Sequence, residues 1–278
     1  MTAADRTFET ELETWRAQRL KALTSEDGWL SVCGLIWIEP GRWRFGSAQD
    51  NDILIEKLPP HAGVLTLDDD GSARVALSAA GGTIGGEAVP EGPLVDDRDA
   101  ARPPTRVAFG TVSFHLIDRE GRKALRARDS ESPIRTGFAG LDHFDADPAF
   151  RIEADWVAVD PPRVFEVDSI VGISSTVAVT HKAVFYHDGA QYTLWPTHGS
   201  AAAPMFVLRD TTAGKETYGA ARFLSGFFEE DRPGRIVLDF NRAINPPCAF
   251  TPAATCPLPP EENRLPFPIR AGEKKPRD

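Results

Sequence analysis

The sequence lacks several features that mark secreted, membrane-spanning or nucleic-acid-binding proteins. Its 278 residues include only three cysteines, an odd count that argues against a framework of disulfides. No apolar run approaches the roughly 20 residues that a membrane-spanning helix needs. The formal net charge of −10 provides no basic face for a phosphate backbone. Neither a membrane nor a nucleic acid is therefore a predicted partner.

The N-terminal stretch also lacks the apolar core of a secretory signal. Residues 1–20, MTAADRTFETELETWRAQRL, carry charges throughout. We therefore expect a cytoplasmic protein. No spacing of Cys and His matches a zinc site, so no metal and no cofactor is predicted.

What the sequence does contain predicts a mainly β protein behind one N-terminal helix. Apolar residues recur near helical spacing from Phe8 to Leu23, and Gly28 is expected to end that helix. Beyond Gly28, short runs of β-branched and aromatic residues alternate with Gly, Pro, Asp and Asn turns. This alternation is typical of antiparallel β structure.

Composition divides the chain into three predicted parts. Residues 88–106, AVPEGPLVDDRDAARPPTR, are poor in apolar side chains, so they form a linker or a long loop. We expect an N-terminal helix over 1–27, a small β-sandwich over 28–98, and a larger antiparallel β barrel or sandwich over 105–278. From Asn245 onward, prolines prevent regular structure, and this extended tail is expected to act as a clasp over strand edges.

The segment 34–92 resembles a forkhead-associated β-sandwich, a domain type that binds phosphothreonine peptides. Gly46-Ser47 stands where that family has Gly-Arg, Pro59-Pro60-His61 where it has Ser-x-x-His, and Gly85-Gly86 where it has Asn-Gly. The resemblance therefore implies the fold without the residues that pair with phosphate. In the alternative interpretation, SAQDND at 47–52 is a polar turn that bonds to its own backbone.

The densest polar chemistry lies in three motifs near the C-terminus. They read RDTTAGKETYGAARFL, DFNRAINPPCAFTPAATCPLPP and AGEK. Together with GWLSVCGLIWIEPG near the N-terminus, they resemble domain-of-unknown-function family 1684 over nearly the whole chain. That family has no established activity, so the resemblance implies chain boundaries and no mechanism.

Side chains of these motifs predict a polar cleft. Asp239 and Asn241 alternate at the end of the strand RIVLDF, and Arg222 follows Tyr218 at one helical turn. If the fold brings these side chains together, they can bind a small polar or anionic ligand or a protein partner. The predicted ligand-binding residues are Arg209, Asp210, Tyr218, Arg222, Asp239, Asn241 and Asn245.

A structural role for the same side chains is the alternative that we favour. A proline-rich tail lacks ladder partners, so its carbonyl groups need side-chain donors. The donors that the sequence offers are Asn241, Asn245, Arg222 and Asn263. A purely structural or assembly role for the whole protein stays open beside both interpretations.

Cys248 and Asp239 are the candidate catalytic residues of a hydrolase-like enzyme. A cysteine nucleophile needs a base or a cation nearby, and Asp239 is itself a candidate base. Cys248 and Cys256 lie eight residues apart across a proline-containing loop, so they can approach each other. Three histidines are candidate partners by residue type alone: His181, His187 and His198.

Two further polar stretches have simple structural interpretations. His143, Asp145 and Asp147 in HFDAD would make at most a weak metal site, and an exposed acidic loop is the interpretation that we favour. His115, inside the predicted strand VSFHLIDR, is interpreted as an ordinary strand residue.

An arginine group in RARDSESPIRTGF is the last candidate. Arg126, Arg128 and Arg135 can receive a carboxylate or a phosphate bidentately. Asp129 and Glu131 can instead balance those charges on the surface.

Overall fold

The computed structural model describes residues 3–99 and 101–277, with side chains from Thr7 onward, and it is mainly β. Its helices are α1 (Ala3–Thr24) and α2 (Pro133–Thr136). The predicted mainly β fold with one N-terminal helix is confirmed. No helix in the described residues is long and apolar enough to cross a membrane.

The strands alternate with short turns along the chain. The first ten are β1 (Val32–Ile38), β2 (Gly41–Gly46), β3 (Ile53–Leu54), β4 (Gly63–Leu67), β5 (Ala73–Leu77), β6 (Gly82–Ile84), β7 (Glu91–Pro93), β8 (Arg106–Phe109), β9 (Val112–Arg119) and β10 (Arg122–Asp129). The others are β11 (Arg151–Asp168), β12 (Ser174–His187), β13 (Ala190–Leu194), β14 (His198–Gly199), β15 (Pro204–Leu208), β16 (Arg222–Ser225) and β17 (Arg235–Asp239).

The chain forms two compact units whose limits differ from the predicted division. One unit contains Leu23–Phe138 and Thr251–Ala253; the other contains α1 up to Ala22, Ala139–Phe250 and the chain from Ala254 on. Strands on both sides of the proline-rich stretch 88–106 share a sheet, because β1 pairs with β10 and β6 pairs with β8. That stretch, which contains strand β7, therefore lies inside one unit.

The unit around Leu23–Phe138 is a sandwich of two five-stranded sheets. Their strand orders are β1-β10-β9-β8-β6 and β3-β2-β4-β5-β7. Both sheets contribute to one apolar core, in which the Phe45 and Phe114 rings meet edge to face at 5.2 Å. This sandwich includes strands β8, β9 and β10, which lie beyond the predicted limit at residue 98.

The polar connection 47–52 is a turn that satisfies its own backbone. The Asn51 Nδ2 donates to the carbonyl oxygens of Ala48 at 2.8 Å and Pro60 at 2.7 Å. The Asp52 carboxylate accepts from the Arg44 amide at 2.8 Å. A Cβ on Gly46 would lie 2.3 Å from the Pro60 oxygen, so this position requires glycine. The bond to Ala48 is the contact within the turn that the turn interpretation predicts, and the bonds to Pro60 and Arg44 join the turn to the neighbouring segments.

His115 in β9 is buried, and its pKa is lowered to about 4 by burial first and by Arg128 and Arg126 next. The imidazole is therefore neutral in the folded chain at pH values where it is protonated in the unfolded chain.

We expect stability to fall as the pH drops from about 6.5 to about 4, because the unfolded state binds the extra proton in this window. The contribution of His115 to this loss approaches about 3 kcal/mol. Urea unfolding at several pH values, compared with His115→Gln, measures it. Identical pH slopes for the two proteins would contradict this interpretation of His115.

The second unit contains two smaller antiparallel sheets and the chain end. Their orders are β13-β12-β11-β17 and β14-β15-β16. Fully buried Phe185, Phe206 and Phe240 lie in its main core. Between Asn245 and Arg277 the chain is extended, with 3₁₀ turns at Pro247–Ala249 and Glu261–Asn263. None of the seventeen strands described above lies in this part, so its backbone is bonded by scattered main-chain contacts and by side chains.

Candidate functional site

Arg222 and Asp210 form a buried ion pair that fixes the chain end. The Arg222 guanidinium is 1% exposed and donates to the Asp210 carboxylate at 2.7 Å. It also donates to the carbonyl oxygens of Ile269 at 2.9 Å and Ala271 at 2.5 Å. The other Asp210 oxygen accepts from the Thr212 amide and hydroxyl at 2.8 and 2.6 Å. The pair is thus bonded to the protein's own backbone.

Asn245 is the centre of a second buried group. Its backbone N–H donates to Glu273 Oε2 at 2.7 Å, and its side-chain Nδ2 donates to the main-chain oxygen of Lys274 at 2.7 Å. The other Glu273 oxygen accepts from Arg19 Nε at 2.9 Å. The Arg19 guanidinium also donates to the main-chain oxygen of Asn245 at 3.2 Å. Sequence reasoning missed Arg19 and Glu273, although Glu273 lies in the AGEK motif.

Asp239 and Asn241 lie in a turn and not on one face of a strand, because β17 ends at Asp239. The Asp239 carboxylate accepts from the Asn241 amide at 3.1 Å and lies 3.2 Å from Arg242 Nε. Asn241 exchanges two hydrogen bonds with the main chain of Asp147, at 2.9 and 2.8 Å. Asp239 is 1% exposed, which leaves a substrate no access to this candidate base.

Asn263 anchors the tail through its side chain to the main chain of Trp195, which follows β13, and of Val207 in β15. Its side chain accepts from the Trp195 amide at 2.8 Å and donates to the oxygens of Trp195 at 2.8 Å and Val207 at 2.9 Å. Arg209 contributes to this anchoring through its main chain: its N–H donates to the Asn263 oxygen, and its oxygen accepts from the Leu265 N–H. The Arg209 residue is exposed. Its guanidinium therefore does not join the buried groups.

Tyr218, Cys248 and Cys256 form a third group, at a turn of the tail. The Tyr218 hydroxyl donates to the Cys248 carbonyl oxygen at 2.9 Å, and the Cys248 amide donates to Cys256 Sγ at 3.2 Å. Cys248 is partly exposed and Cys256 is buried. The predicted helical alignment of Tyr218 with Arg222 is wrong, because Arg222 begins strand β16. The two cysteines do meet, as their spacing allowed.

The same contacts lower the pKa of the Cys248 thiol. The hydrogen bond from Cys256 is the largest cause that lowers the pKa of Cys248; burial opposes it, and the Tyr218 hydroxyl lowers that pKa further. Burial and then Cys248 raise the pKa of Tyr218, which keeps its hydroxyl protonated as a donor. Burial raises the pKa of Cys33, the exposed cysteine of the chain.

The candidate histidines do not provide a base for Cys248. The histidines take other partners: His181 stacks on Trp156, His187 stacks on Phe267, and His198 Nδ1 lies 3.2 Å from Thr197 Oγ1. A cysteine–histidine pair of the hydrolase type therefore finds no support in the geometry.

The remaining candidate groups have structural partners. Asp147 bonds to Asn241 and to the Ala149 amide, and His143 forms a β-bridge with Glu273. Within residues 3–99 and 101–277, no three His, Cys, Asp or Glu side chains lie close enough to hold a metal ion. The three candidate arginines also have partners within the protein. Arg126 lies over the Trp29 ring. Arg128 donates to the main-chain oxygens of Asp27 and Gly28, and Arg135 donates to those of Thr24 and Ser130.

Comparison with known proteins places the three C-terminal motifs in a family. Residues 136–274 match the family described as "Protein of unknown function (DUF1684)"; the resemblance expected over the whole chain is thus found for this part. An uncharacterized protein of Haloarcula marismortui, solved by NMR, is 32% identical over 50% of this chain and 78% of that chain, with a TM-score of 0.40. No curated protein matches. These comparisons do not show the forkhead-associated resemblance.

Proposed function

The chain belongs to the DUF1684 family, and we propose that it acts through a peroxide-reactive thiol centre made of Cys248, Cys256 and Tyr218. The observation that carries the proposal is the 3.2 Å hydrogen bond from the Cys248 amide to Cys256 Sγ, which brings the two cysteines together. Both cysteines and Tyr218 lie within the matched residues 136–274.

The proposed reaction oxidises two thiols and reduces one hydroperoxide. The Cys248 thiolate attacks the terminal peroxide oxygen; an S–O bond forms, the O–O bond breaks, and the leaving alkoxide or hydroxide takes a proton from solvent. The Cys256 sulfur then attacks the Cys248 sulfenic acid, and the proton of its thiol goes to the departing hydroxide. An S–S bond forms, an S–O bond breaks and water leaves, so two electrons pass from the thiols to the peroxide.

Exposure and acidity assign different roles to the two cysteines. Cys248 is partly exposed and has the lowered pKa, so it meets the peroxide first. Cys256 is buried beside it and resolves the sulfenic acid. Tyr218 donates a hydrogen bond at the same turn and does not titrate in the physiological range. The predicted cytoplasmic location belongs to this proposal, because a reducing compartment returns the disulfide to two thiols.

The alternatives find less support at this site. A hydrolase would need a base for Cys248, and the histidine candidates take other partners. A ligand cleft at Arg222 and Asp210 would need open donors, whereas these side chains already bond to each other and to the tail.

Titration of the reduced full chain with hydrogen peroxide, followed by peptide mapping without reductant, tests the proposal. We expect a Cys248–Cys256 disulfide before any oxidation of Cys33, although Cys33 is the exposed cysteine. Cys33→Ser should leave the reaction unchanged, and Cys256→Ser should stop it at a Cys248 sulfenic acid that dimedone traps. Tyr218→Phe should slow it about two- to tenfold, because the Tyr218 hydroxyl no longer lowers the pKa of Cys248 and a smaller fraction of Cys248 is then thiolate.

Two results would overturn the proposal. One is preferential oxidation of Cys33 with Cys248 and Cys256 still reduced. The other is a persistent sulfenic acid on Cys248 in the wild-type chain, which would show that Cys256 does not resolve it.

A further inference from the structure

A groove of about 390 Å³ lies in the sandwich unit, outside the residues that match the family. It runs between edge strands, because β1 is the last strand of one sheet and β3 the last strand of the other. Its volume lies in the range of small-molecule sites. Its apolar lining includes Ile36, Leu54, Ile55, Val112 and Ala127.

Leu54 shows that part of this apolar lining is uncovered. Its side chain lines the groove and is 47% exposed, which makes it one of the more exposed large apolar residues of the described chain. An apolar side chain beside other apolar groups in a concavity favours an occupant with a hydrocarbon body.

The polar residues at the groove carry an excess of negative charge. Lys57 Nζ donates to Asp129 Oδ2 at 2.6 Å and lies 4.0 Å from Glu131 Oε2. Burial raises the pKa of Asp129, but the hydrogen bonds from Lys57 and the Glu131 amide outweigh it and keep the carboxylate charged. Glu56 also lines the groove and is exposed. Two carboxylates, those of Glu56 and Asp129, thus line the groove with one ammonium group, and the Glu131 carboxylate lies 4.0 Å from that ammonium.

We propose that this groove binds a small hydrophobic amine. Its hydrocarbon body lies against Ile36, Leu54 and Val112, and its ammonium group lies against Glu56, beside the Lys57–Asp129 pair. A carboxylate ligand would have to take Lys57 from Asp129 and would meet the repulsion of the neighbouring carboxylates. Charge complementarity therefore selects the amine.

Cys33 provides a reporter for the occupant, because it lines the groove and is exposed. The full chain is titrated with hexylamine, hexanoate and hexanol while the alkylation of Cys33 by N-ethylmaleimide is followed by peptide mass mapping. We expect hexylamine to slow Cys33 alkylation with half-saturation on the order of 1 mM, as suits so small a ligand. Hexanol should protect more weakly, and hexanoate should not protect.

Two exposed side chains of the groove separate the charge contribution from the apolar one. Glu56→Gln should weaken hexylamine binding severalfold and leave hexanol unchanged, whereas Leu54→Ser should weaken both. Glu87→Gln removes an exposed carboxylate that does not line the groove, and it should change neither. The proposal is overturned if hexanoate protects Cys33 as well as hexylamine does, if hexylamine gives no protection, or if Glu56→Gln has no effect.

Discussion

Arg222→Ala is expected to destabilise the protein by about 3–5 kcal/mol, the effect of removing one partner from a buried ion pair. The substitution leaves the Asp210 carboxylate buried without its cation, and it leaves the oxygens of Ile269 and Ala271 without their donor. Urea unfolding followed by circular dichroism measures the free energy of unfolding. The loss should be large because Arg222 is among the largest fully buried side chains.

Arg209→Ala is the matched control for this measurement. Arg209 precedes Asp210 in the chain, but it is exposed and bonds to the tail through its main chain. Its replacement should change stability by no more than about 0.5 kcal/mol. Similar small effects from both substitutions would mean that the Arg222–Asp210 pair does not hold the chain end.

Gly272→Ala is expected to cost about 2–5 kcal/mol, because two unfavourable effects coincide there. Gly272 has φ +80°, a conformation that L-residues adopt at a cost of about 1–2 kcal/mol. An added Cβ would also lie 2.5 Å from the Ala243 oxygen and 2.7 Å from the Phe240 oxygen. Since both are backbone atoms, the tail must shift, and such overpacking costs about 1–3 kcal/mol more.

Gly214→Ala separates the two effects in the same unfolding measurement. Gly214 also has φ +80°, but an added Cβ there meets nothing within 4 Å. It should therefore show only the conformational cost of about 1–2 kcal/mol. Equal losses at Gly214 and Gly272 would contradict the close approach of the AGEK segment to the Phe240–Ala243 turn.

The sequence predicted features that depend on local pattern. Helical spacing from Phe8 to Leu23 identified α1, which spans Ala3–Thr24. Polar turn composition explained residues 47–52, where Asn51 bonds to nearby carbonyl oxygens. Both succeed because the residues that determine the structure are close in sequence.

Features that depend on distant residues were not predicted. The expected boundary near residue 98 was drawn from composition, whereas β1 pairs with β10 across the intervening strands. Strand periodicity shows which side of a strand is buried and does not identify its partner. The same limitation hid Arg19, because only the fold brings α1 to Glu273.

The sequence identified several buried polar residues of the candidate site, but it did not predict how they are arranged. Arg222 and Asn245 are buried and bond to the main chain of the tail, which is the structural role that the sequence favoured, whereas Asp239 is buried and bonds to Asn241 in the following turn. Asp239 and Asn241 do not share a strand face, because β17 ends and Asp239 bonds to the following turn. Strand alternation could not reveal this end, since no proline or glycine marks it.

The central claim is that buried polar side chains hold the chain end, and with it the turn that carries Cys248. Amide hydrogen exchange tests this most directly at Asn245, Ile269 and Glu273, whose amides donate to Glu273, Asp210 and Ala243. We predict that these amides exchange as slowly as those of β15 and β17, and that Arg222→Ala accelerates them selectively. Exchange at the rate of an unstructured peptide in the wild-type chain would contradict the account.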